Sequence, residues 1–444
     1  MKTFFKSLYL NNRFFVAIGL NVFLFLLSFS FPQLFIIARL AFFVIIILAI
    51  IEISLLFGQK EGIKANRNMA DRLSNGDEND IYIHLKNNYN FQAYLRIIDE
   101  APFQFQYRNL NFRFKINSKN EKTISYQLRP VKRGEYEFGA LNIFVSGNIG
   151  FTSRRFRFDQ NKVVAVYPSY LQLRKYELMA ISNRLSELGI KKIRKIGHAL
   201  EFEQIKEYVQ GDDIRTINWK ATARKNTLMI NHYQEEKSQN VYSIIDKGRV
   251  MRMPFEGLSL LDYAINASLV ISSIAIRKED KAGIITFNNK IGSLLPAAKV
   301  GSQMQKVQEV LYNQKTNYKE SNFDLLYATL RQKINQRSLI LLYTNFETLF
   351  GLQRQLPYLK RIAKNHVLVV IFFENTELRD LLKRDATSSE DIYIKTIGEK
   401  FSFEKKQIVK ELKRHGIHSV LTPPKNLTVD TINIYLEIKA RGLI

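Results

Sequence analysis

The chain has 444 residues and no cysteine, which excludes a disulfide framework and any thiolate metal site. Tryptophan occurs once, and the six histidines are dispersed, which argues against a histidine-based metal site. Acidic residues are scarce as well. The 66 Lys and Arg outnumber the 41 Asp and Glu, and the resulting net charge of +25 indicates a polyanionic surface nearby, either anionic lipid or nucleic acid.

Familiar catalytic motifs are also missing. The sequence has no glycine-rich phosphate loop ending in Gly-Lys-Ser/Thr, so it lacks the signature of an NTPase. It contains neither a Gly-x-Ser-x-Gly elbow nor a His-Glu-x-x-His helix. His415 and His418 are close in sequence, but Gly416 stands between them at an expected helix end. That arrangement favours a capping or loop role for these histidines over metal binding.

The longest hydrophobic runs lie in the first sixty residues. Segments 14–31 and 34–57 are each long enough to cross a hydrocarbon core of about 30 Å. A signal peptide is the alternative for the first run, but no small-residue cleavage site follows it and the second run begins at once. Residues 1–60 are therefore predicted to form a transmembrane helical hairpin.

Charges around and within this hairpin predict its orientation. Basic residues precede the first run and follow the second, so the positive-inside rule places both ends in the cytoplasm. Arg39 near the hairpin tip and Glu52 near the cytoplasmic end are expected to snorkel towards water and not to line an ion pathway. The predicted location is the cell inner (cytoplasmic) membrane, with two spans and with the soluble domains in the cytoplasm.

Residues 61–168 have the pattern of a small antiparallel β-sandwich. After a polar linker at 58–80 with no clear period, short alternating runs such as 81–85, 112–116, 123–128 and 141–145 follow at near-regular spacing. No catalytic constellation stands out there, so we interpret this domain as a spacer or docking module. A connector at 169–240 follows, and its basic cluster at 191–195 lacks the interleaved aromatic residues that base stacking needs.

From residue 241 to 444 apolar strands alternate with helices. This order predicts a mainly parallel, doubly wound sheet with helices on both faces. Ligands of such folds bind at the carboxyl ends of strands, and Asp246 is expected at the end of the first strand. The complete prediction is an α/β fold with β: a transmembrane hairpin, a sandwich and this doubly wound domain.

A strand followed by Asp in such a domain resembles the von Willebrand factor A fold. That family binds a divalent cation through Asp-x-Ser-x-Ser, a Thr from a second loop and an Asp from a third. Here Gly248 and Val250 replace both serines, and the matching loops offer Ser321 and Asn345. Because Mg²⁺ prefers several oxygen ligands, we interpret Asp246, Ser321 and Asn345 as remnants of a degenerate site, and no metal or other cofactor is expected.

The densest charge of the chain lies at 201–224, together with a Gly-Asp-Asp turn and the single tryptophan. One interpretation is a structural clasp between the sandwich and the α/β domain, anchored by Trp219 and held by ion pairs among Asp212, Asp213, Arg215 and Arg224. A second is an exposed surface that binds a partner. A third is acid–base catalysis by the two aspartates, in which case the chain is a metal-dependent, membrane-tethered hydrolase.

Two motifs make the chain resemble the bacterial domain-of-unknown-function family 58. Segment 208–224 reads YVQGDDIRTINWKATAR, and segment 129–139 reads RPVKRGEYEFG. The hallmark residues of the first motif are Tyr208, Gly211, Asp212, Asp213, Arg215, Asn218, Trp219, Lys220 and Arg224. A paired membrane span at the amino terminus is also typical of this family.

The resemblance implies a function in binding other proteins. It implies partnership with a MoxR-type AAA+ ATPase and with other envelope proteins of the same operon, in envelope or stress processes. We therefore expect a non-enzymatic, membrane-anchored adaptor or chaperone-like protein that contacts anionic lipid and no nucleic acid. Binding to DNA through the basic surface is a third hypothesis, which would show as steeply salt-dependent affinity.

Overall fold

The computed structural model describes residues 2–107, 110–181, 189–190, 200–210, 212–235, 238–383 and 388–443. These residues form two compact units, Met1–Tyr167 and Pro168–Ile444. Each unit has its own hydrophobic core. The basic cluster at 191–195 and the hallmark glycine Gly211 lie outside the described residues.

The first unit begins with three helices and one short strand. These elements are α1 (Lys2–Ser7), β1 (Leu8–Leu10), α2 (Asn12–Leu27) and α3 (Gln33–Phe57). The predicted run 14–31 is helical only to Leu27, because the backbone turns there through bonds from Phe29 N–H to Leu26 O and from Phe31 N–H to Leu27 O. The two apolar helices pack against each other, and Asn21 Nδ2 donates a hydrogen bond to Ala38 O at 3.0 Å.

Large apolar side chains cover the outside of this helix pair. Leu20, Leu26, Ile36, Leu40 and Ile50 are each more than half exposed. Only 11% of the most apolar stretch of α3 is buried within the structure, and α3 is long and apolar enough to cross a membrane. These features associate the amino-terminal part of the chain with a membrane.

The rest of the first unit is a β-sandwich. Its strands are β2 (Ile63–Asn68), β3 (Arg72–Ser74), β4 (Asn79–Asn87), β5 (Ala93–Asp99), β6 (Asn111–Ile116), β7 (Glu121–Leu128), β8 (Gly134–Phe138), β9 (Leu141–Ser146), β10 (Thr152–Phe158) and β11 (Lys162–Tyr167). They form a sheet of order β1-β10-β9-β5-β6 and two smaller sheets, β2-β4-β7 and β3-β11-β8. The interpretation of 58–80 as a linker without structure was wrong, because β2 pairs with β4 and β3 pairs with β11.

Glu52 of α3 does not snorkel to water, contrary to the expectation from sequence. Its side chain is buried, and its carboxylate accepts hydrogen bonds from the backbone of the turn between β9 and β10. The donors are the N–H groups of Gly147 (3.2 Å), Gly150 (2.8 Å), Phe151 (2.8 Å) and Thr152 (2.8 Å). A carboxylate with several charge-assisted bonds is a strong connection, so α3 is tied to the sandwich.

The second unit contains the remaining helices and strands. They are α4 (Tyr170–Ile181), β12 (Leu200–Glu207), α5 (Trp219–Lys225), β13 (Met229–Glu235), β14 (Asn240–Asp246), β15 (Pro254–Phe255), β16 (Leu258–Ser259), α6 (Leu260–Arg277), β17 (Lys281–Phe287), β18 (Ile291–Ala298), α7 (Gln303–Tyr312), α8 (Phe323–Lys333), β19 (Leu339–Tyr343), α9 (Leu349–Asn365), β20 (Val367–Phe373), α10 (Thr376–Lys383), α11 (Ser389–Arg414), β21 (His418–Thr422) and α12 (Leu427–Ala440).

The main sheet of this unit has the strand order β18-β17-β14-β19-β20-β21. All neighbours are parallel except the edge strand β18, which pairs antiparallel with β17. One face of the sheet buries α6, α7 and α12, and the other buries α8, α9 and α11. This is a mainly parallel, doubly wound sheet, as the sequence predicted. Helix α6 is apolar enough to cross a membrane, but 83% of it is buried in this core.

Candidate functional site

The hallmark segment folds as an insertion in a β-hairpin. Strands β12 and β13 pair antiparallel, and the chain between them forms a 3₁₀ turn at Ile214–Thr216 and the short helix α5. Ile217 makes a bridge to Ile230, and Tyr208 N–H donates to Leu228 O at 2.8 Å. Backbone bonds therefore hold the whole segment against its own hairpin.

The two aspartates of the motif serve this local fold. Asp212 Oδ1 accepts from Lys206 Nζ at 3.0 Å, and Asp212 Oδ2 accepts from the N–H of Val209 at 3.0 Å. Asp213 Oδ1 accepts from the N–H of Arg215 at 3.0 Å and caps the 3₁₀ turn. In the described part of the chain neither carboxylate forms an ion pair with Arg215 or Arg224, so the predicted pairs of the clasp are not made.

Asn218 and Thr222 fix the start of α5 to the hairpin. The side-chain oxygen of Asn218 accepts from Ala221 N–H at 3.1 Å, and its Nδ2 donates to Asn231 Oδ1 at 2.8 Å. Thr222 Oγ1 accepts from Met229 N–H at 3.0 Å. An Asn at a helix N-cap satisfies a backbone donor that the helix leaves unpaired. These hallmark positions are thus explained by local structure.

Trp219 is not explained in this way. Its side chain is 71% exposed, so it does not serve as the buried anchor that the clasp interpretation required. Exposed apolar side chains accompany it on the same hairpin insertion. We call this set the hairpin patch: Ile205, Val209, Ile214, Trp219 and Leu228. Several exposed large apolar side chains within one short segment make that segment a candidate interaction site.

Basic residues occur in the same segment as the hairpin patch. The hallmark residues Arg215, Lys220 and Arg224, and the neighbouring Lys225, are exposed, and none of them has an ion-pair partner among the residues that the structure describes. Tyr208 is half-buried beside them. The segment therefore combines exposed apolar and exposed cationic side chains, which suits a partner with complementary acidic groups.

The carboxyl edge of the main sheet contains a second polar cluster. Asp246 at the end of β14 is fully buried, and its Oδ1 accepts from Gly248 N–H at 2.8 Å and from Ser321 Oγ. Its Oδ2 accepts from Thr344 Oγ1 at 2.8 Å. The structure thus brings Asp246 and Ser321 together, as the sequence predicted, and protein donors occupy both carboxylate oxygens.

Gly248 shows why the first metal-binding loop departs from the A-type pattern. A Cβ at this position would overlap Ser321 Oγ, so a serine cannot be placed here without moving that neighbour. The Ser321 hydroxyl instead fills the space beside Asp246. Among the described residues no group of three or more His, Cys, Asp or Glu side chains could hold a metal ion.

Asn345, the third predicted remnant, forms its side-chain hydrogen bond with a lysine. Its Oδ1 accepts from Nζ of Lys405, a largely buried lysine on α11, at 2.7 Å. Sequence reasoning missed Lys405, because it lies in the middle of a polar helix with no motif around it. The ammonium borders a cavity of about 390 Å³ whose lining includes Met253, Phe255, Phe373 and Leu421.

Burial shifts the pKa values of both charged groups in this region. It raises the pKa of the Asp246 carboxyl, against the opposing effect of its three hydrogen-bond donors. It lowers the pKa of Lys405 to about 8, with Glu347 opposing the shift. At the edge of the sheet, burial therefore disfavours the charged forms of Asp246 and Lys405. Each of these two side chains forms hydrogen bonds with neutral groups.

The hallmark motif lies in a segment that matches a known protein family. Residues 204–401, which include the hairpin insertion and much of the doubly wound sheet, match the model of the family described as "Protein of unknown function DUF58". The chain carries a DUF58 domain. The uncharacterized protein YeaD of Bacillus subtilis strain 168 is 27% identical over 131 residues, which cover 29% of this chain and 32% of YeaD. The chain thus spans about a third of the length of YeaD.

Several solved structures are similar to parts of the chain. The hypothetical protein BatB from Bacteroides thetaiotaomicron is 14% identical with a TM-score of 0.31, covering 46% of this chain and 100% of that one. The SpRpn10 VWA domain is 13% identical with a TM-score of 0.28, covering 44% and 94%. A CARDB domain from Pyrococcus furiosus is 14% identical with a TM-score of 0.17, covering 24% and 94%.

Proposed function

We propose that this DUF58 protein is a membrane-anchored, non-enzymatic adaptor that works with a MoxR-type AAA+ ATPase. The single observation that carries the proposal is the exposed hairpin patch in the hallmark motif. An adaptor needs a surface that a partner can reach, and the aspartates that a hydrolase would use are engaged in local hydrogen bonds. The choice of ATPase comes from the family resemblance.

The geometry of the first unit supports the anchor. The chain enters the helix pair from β1, which pairs with β10, and leaves it through α3 into β2 of the same sandwich. Both ends of the hairpin are therefore on the side of the sandwich. With Lys6 and Arg13 before the spans and Lys60 and Lys64 after them, the positive-inside rule favours a cytoplasmic sandwich under the inner membrane.

The hairpin patch supports protein binding. Trp and Arg are the side chains that most often dominate binding energy in interfaces, and the hallmark segment exposes both Trp219 and Arg215. The exposed cations of this segment favour an acidic partner surface and accelerate its association. A partner that covers Trp219 would bury an aromatic ring that the described chain leaves exposed.

The sheet edge supports binding without a metal ion. A-type domains that need a cation present a third-loop acid, and this chain has Asn345 there, bonded to Lys405. The ammonium of Lys405 places a fixed positive charge at the edge of the sheet. We therefore infer that the domain contacts its partners directly through protein side chains.

Co-purification tests this function. The full chain, solubilised from membranes in mild detergent, is expected to retain an ATPase with AAA+ motifs that mass spectrometry identifies. A membrane protein of similar abundance, purified in the same way, controls for adventitious recovery. Repeated absence of such an ATPase, with the chain intact and folded, would overturn the adaptor proposal.

A further inference from the structure

A basic cavity of about 620 Å³ lies in the first unit where β1 leads into α2. Four cationic side chains line it: Arg13, Arg96, Arg113 and Lys115. Its lining contains no Asp or Glu, although hydroxyl and amide groups such as Ser146, Ser153 and Asn12 are present. We call this cavity the basic groove. So many cations without a counter-charge indicate an anionic ligand.

Two of the cations face each other across neighbouring strands. Arg96 on β5 is the direct partner of Arg113 on β6. Such side chains have Cβ atoms about 5 Å apart, and like charges placed there destabilise a sheet. Arg96 Nε donates to Asn111 Oδ1 at 3.3 Å, whereas Arg113 has no hydrogen-bond or ion-pair partner in the described part of the chain. An anion bound between the two guanidiniums would remove this repulsion.

The position of the basic groove specifies the source of the anion. Asn12 begins α2, the first apolar helix, and Arg13 follows in its first turn. Arg13 Nη1 donates to Ile149 O at 3.4 Å, which keeps its guanidinium at the mouth of the groove. If α2 enters a membrane at this point, the groove lies at the level of the lipid headgroups. Aromatic rings are enriched at that level, and Tyr94 and Phe144 line the groove.

We propose that the basic groove binds a phosphate group, and specifically the phosphate of an anionic phospholipid headgroup. This inference rests on the membrane anchoring in the proposed function, and it adds a defined site to it. Guanidinium groups match phosphate oxygens in paired hydrogen bonds, so Arg96 and Arg113 are the principal ligands. Basic pockets beside membrane helices recognise phospholipid headgroups through the same chemistry.

Native mass spectrometry of the full chain in detergent tests the site. The probes are phosphatidylglycerol, a diacylglycerol with the same acyl chains but no phosphate, and inorganic phosphate. We expect phosphatidylglycerol to bind and diacylglycerol not to bind. The variant R96Q/R113Q should lose affinity by on the order of twentyfold, because each cation near an anionic surface contributes about fivefold.

The matched control is R157Q/K162Q, which removes two cations from exposed ion pairs on the same sandwich, outside the groove. It should bind phosphatidylglycerol like the wild type. Displacement of the lipid by equimolar inorganic phosphate would support the phosphate site but assign it to a soluble ligand. Equal lipid affinity of wild type and R96Q/R113Q would overturn the proposal. In a separate measurement, resistance of the chain to extraction from membranes by carbonate tests whether it is anchored in the membrane, independently of the lipid site.

Discussion

At the scale of single residues, Asp246 is the centre of a polar cluster in which protein donors satisfy its carboxylate. Its carboxylate accepts from Gly248, Ser321 and Thr344 and is fully buried. Buried donors that lose their acceptor retain the full cost of desolvation. The cluster therefore contributes to stability through three satisfied donors.

Replacing Asp246 with Ala should lower the free energy of unfolding by about 2–4 kcal/mol, because three buried donors lose their acceptor. Chemical denaturation of the full chain in detergent measures the change. The control, Glu309→Ala on exposed α7 surface, should stay within about 0.5 kcal/mol of wild type. Two results would contradict a cluster that is held by protein donors without a metal ion. One is an unfolding free energy of Asp246→Ala equal to that of the wild type, and the other is an increase in the unfolding free energy of the wild type on addition of Mg²⁺.

Lys405 predicts a particular pH dependence of stability. Its pKa is lowered to about 8 in the folded chain from 10.5, so between these values the unfolded chain binds more protons. Stability attributable to Lys405 therefore rises as pH increases through this window. Relative to Lys405→Met, the wild type should gain on the order of 1 kcal/mol between pH 8 and pH 10. Parallel profiles for the two proteins would show that the lysine is not desolvated.

At the scale of elements, Glu52 joins a membrane-associated helix to a turn of the sandwich. One carboxylate accepts from four backbone N–H groups between Gly147 and Thr152. This turn includes Gly150 at φ +74°, a conformation that glycine adopts without strain. Because β1 also pairs with β10, two connections hold the sandwich at the foot of the hairpin.

Glu52→Gln should accelerate hydrogen exchange in peptides that contain residues 147–152 by about tenfold or more, since the amide group accepts fewer and weaker bonds than a carboxylate. Exchange mass spectrometry of the full chain in detergent makes the comparison. Glu121→Gln, which breaks the exposed pair with Lys86, should leave exchange in these peptides unchanged. Unaltered protection in Glu52→Gln would mean that the turn holds its shape without the helix.

The sequence predicts elements well where burial dictates their pattern and poorly where it does not. The apolar runs of β14, β17, β19 and β20 are buried on both sides, so their strands were predictable. The edge strand β18 alternates between partly buried and exposed positions and includes Pro296, which obscured it. The hairpin of β12 and β13 was not predicted, because the many charged residues in this part of the sequence obscure the alternation of apolar and polar residues in its strands.

At the scale of the whole molecule, the hallmark motif predicted the family, while the chemistry of the sites depended on tertiary structure. Asp246 and Ser321 could be placed together from loop order alone. The role of Lys405 could not, because its pKa is lowered by burial of the side chain in the folded chain. Likewise, Trp219 is exposed and is therefore not a core anchor. The spacing of residues in the sequence does not predict this exposure.

The central claim is that the hairpin patch binds a partner and does not clasp the fold together. The most direct measurement is the affinity of the full chain for the AAA+ ATPase proposed as its partner, for wild type and for I214S/W219S. The control, F103S/V300S, removes equally exposed apolar groups elsewhere. We predict at least about tenfold weaker binding for I214S/W219S and wild-type binding for F103S/V300S, with the unfolding midpoint of I214S/W219S unchanged. Wild-type affinity of I214S/W219S, or a clearly lowered unfolding midpoint of this variant, would contradict the account.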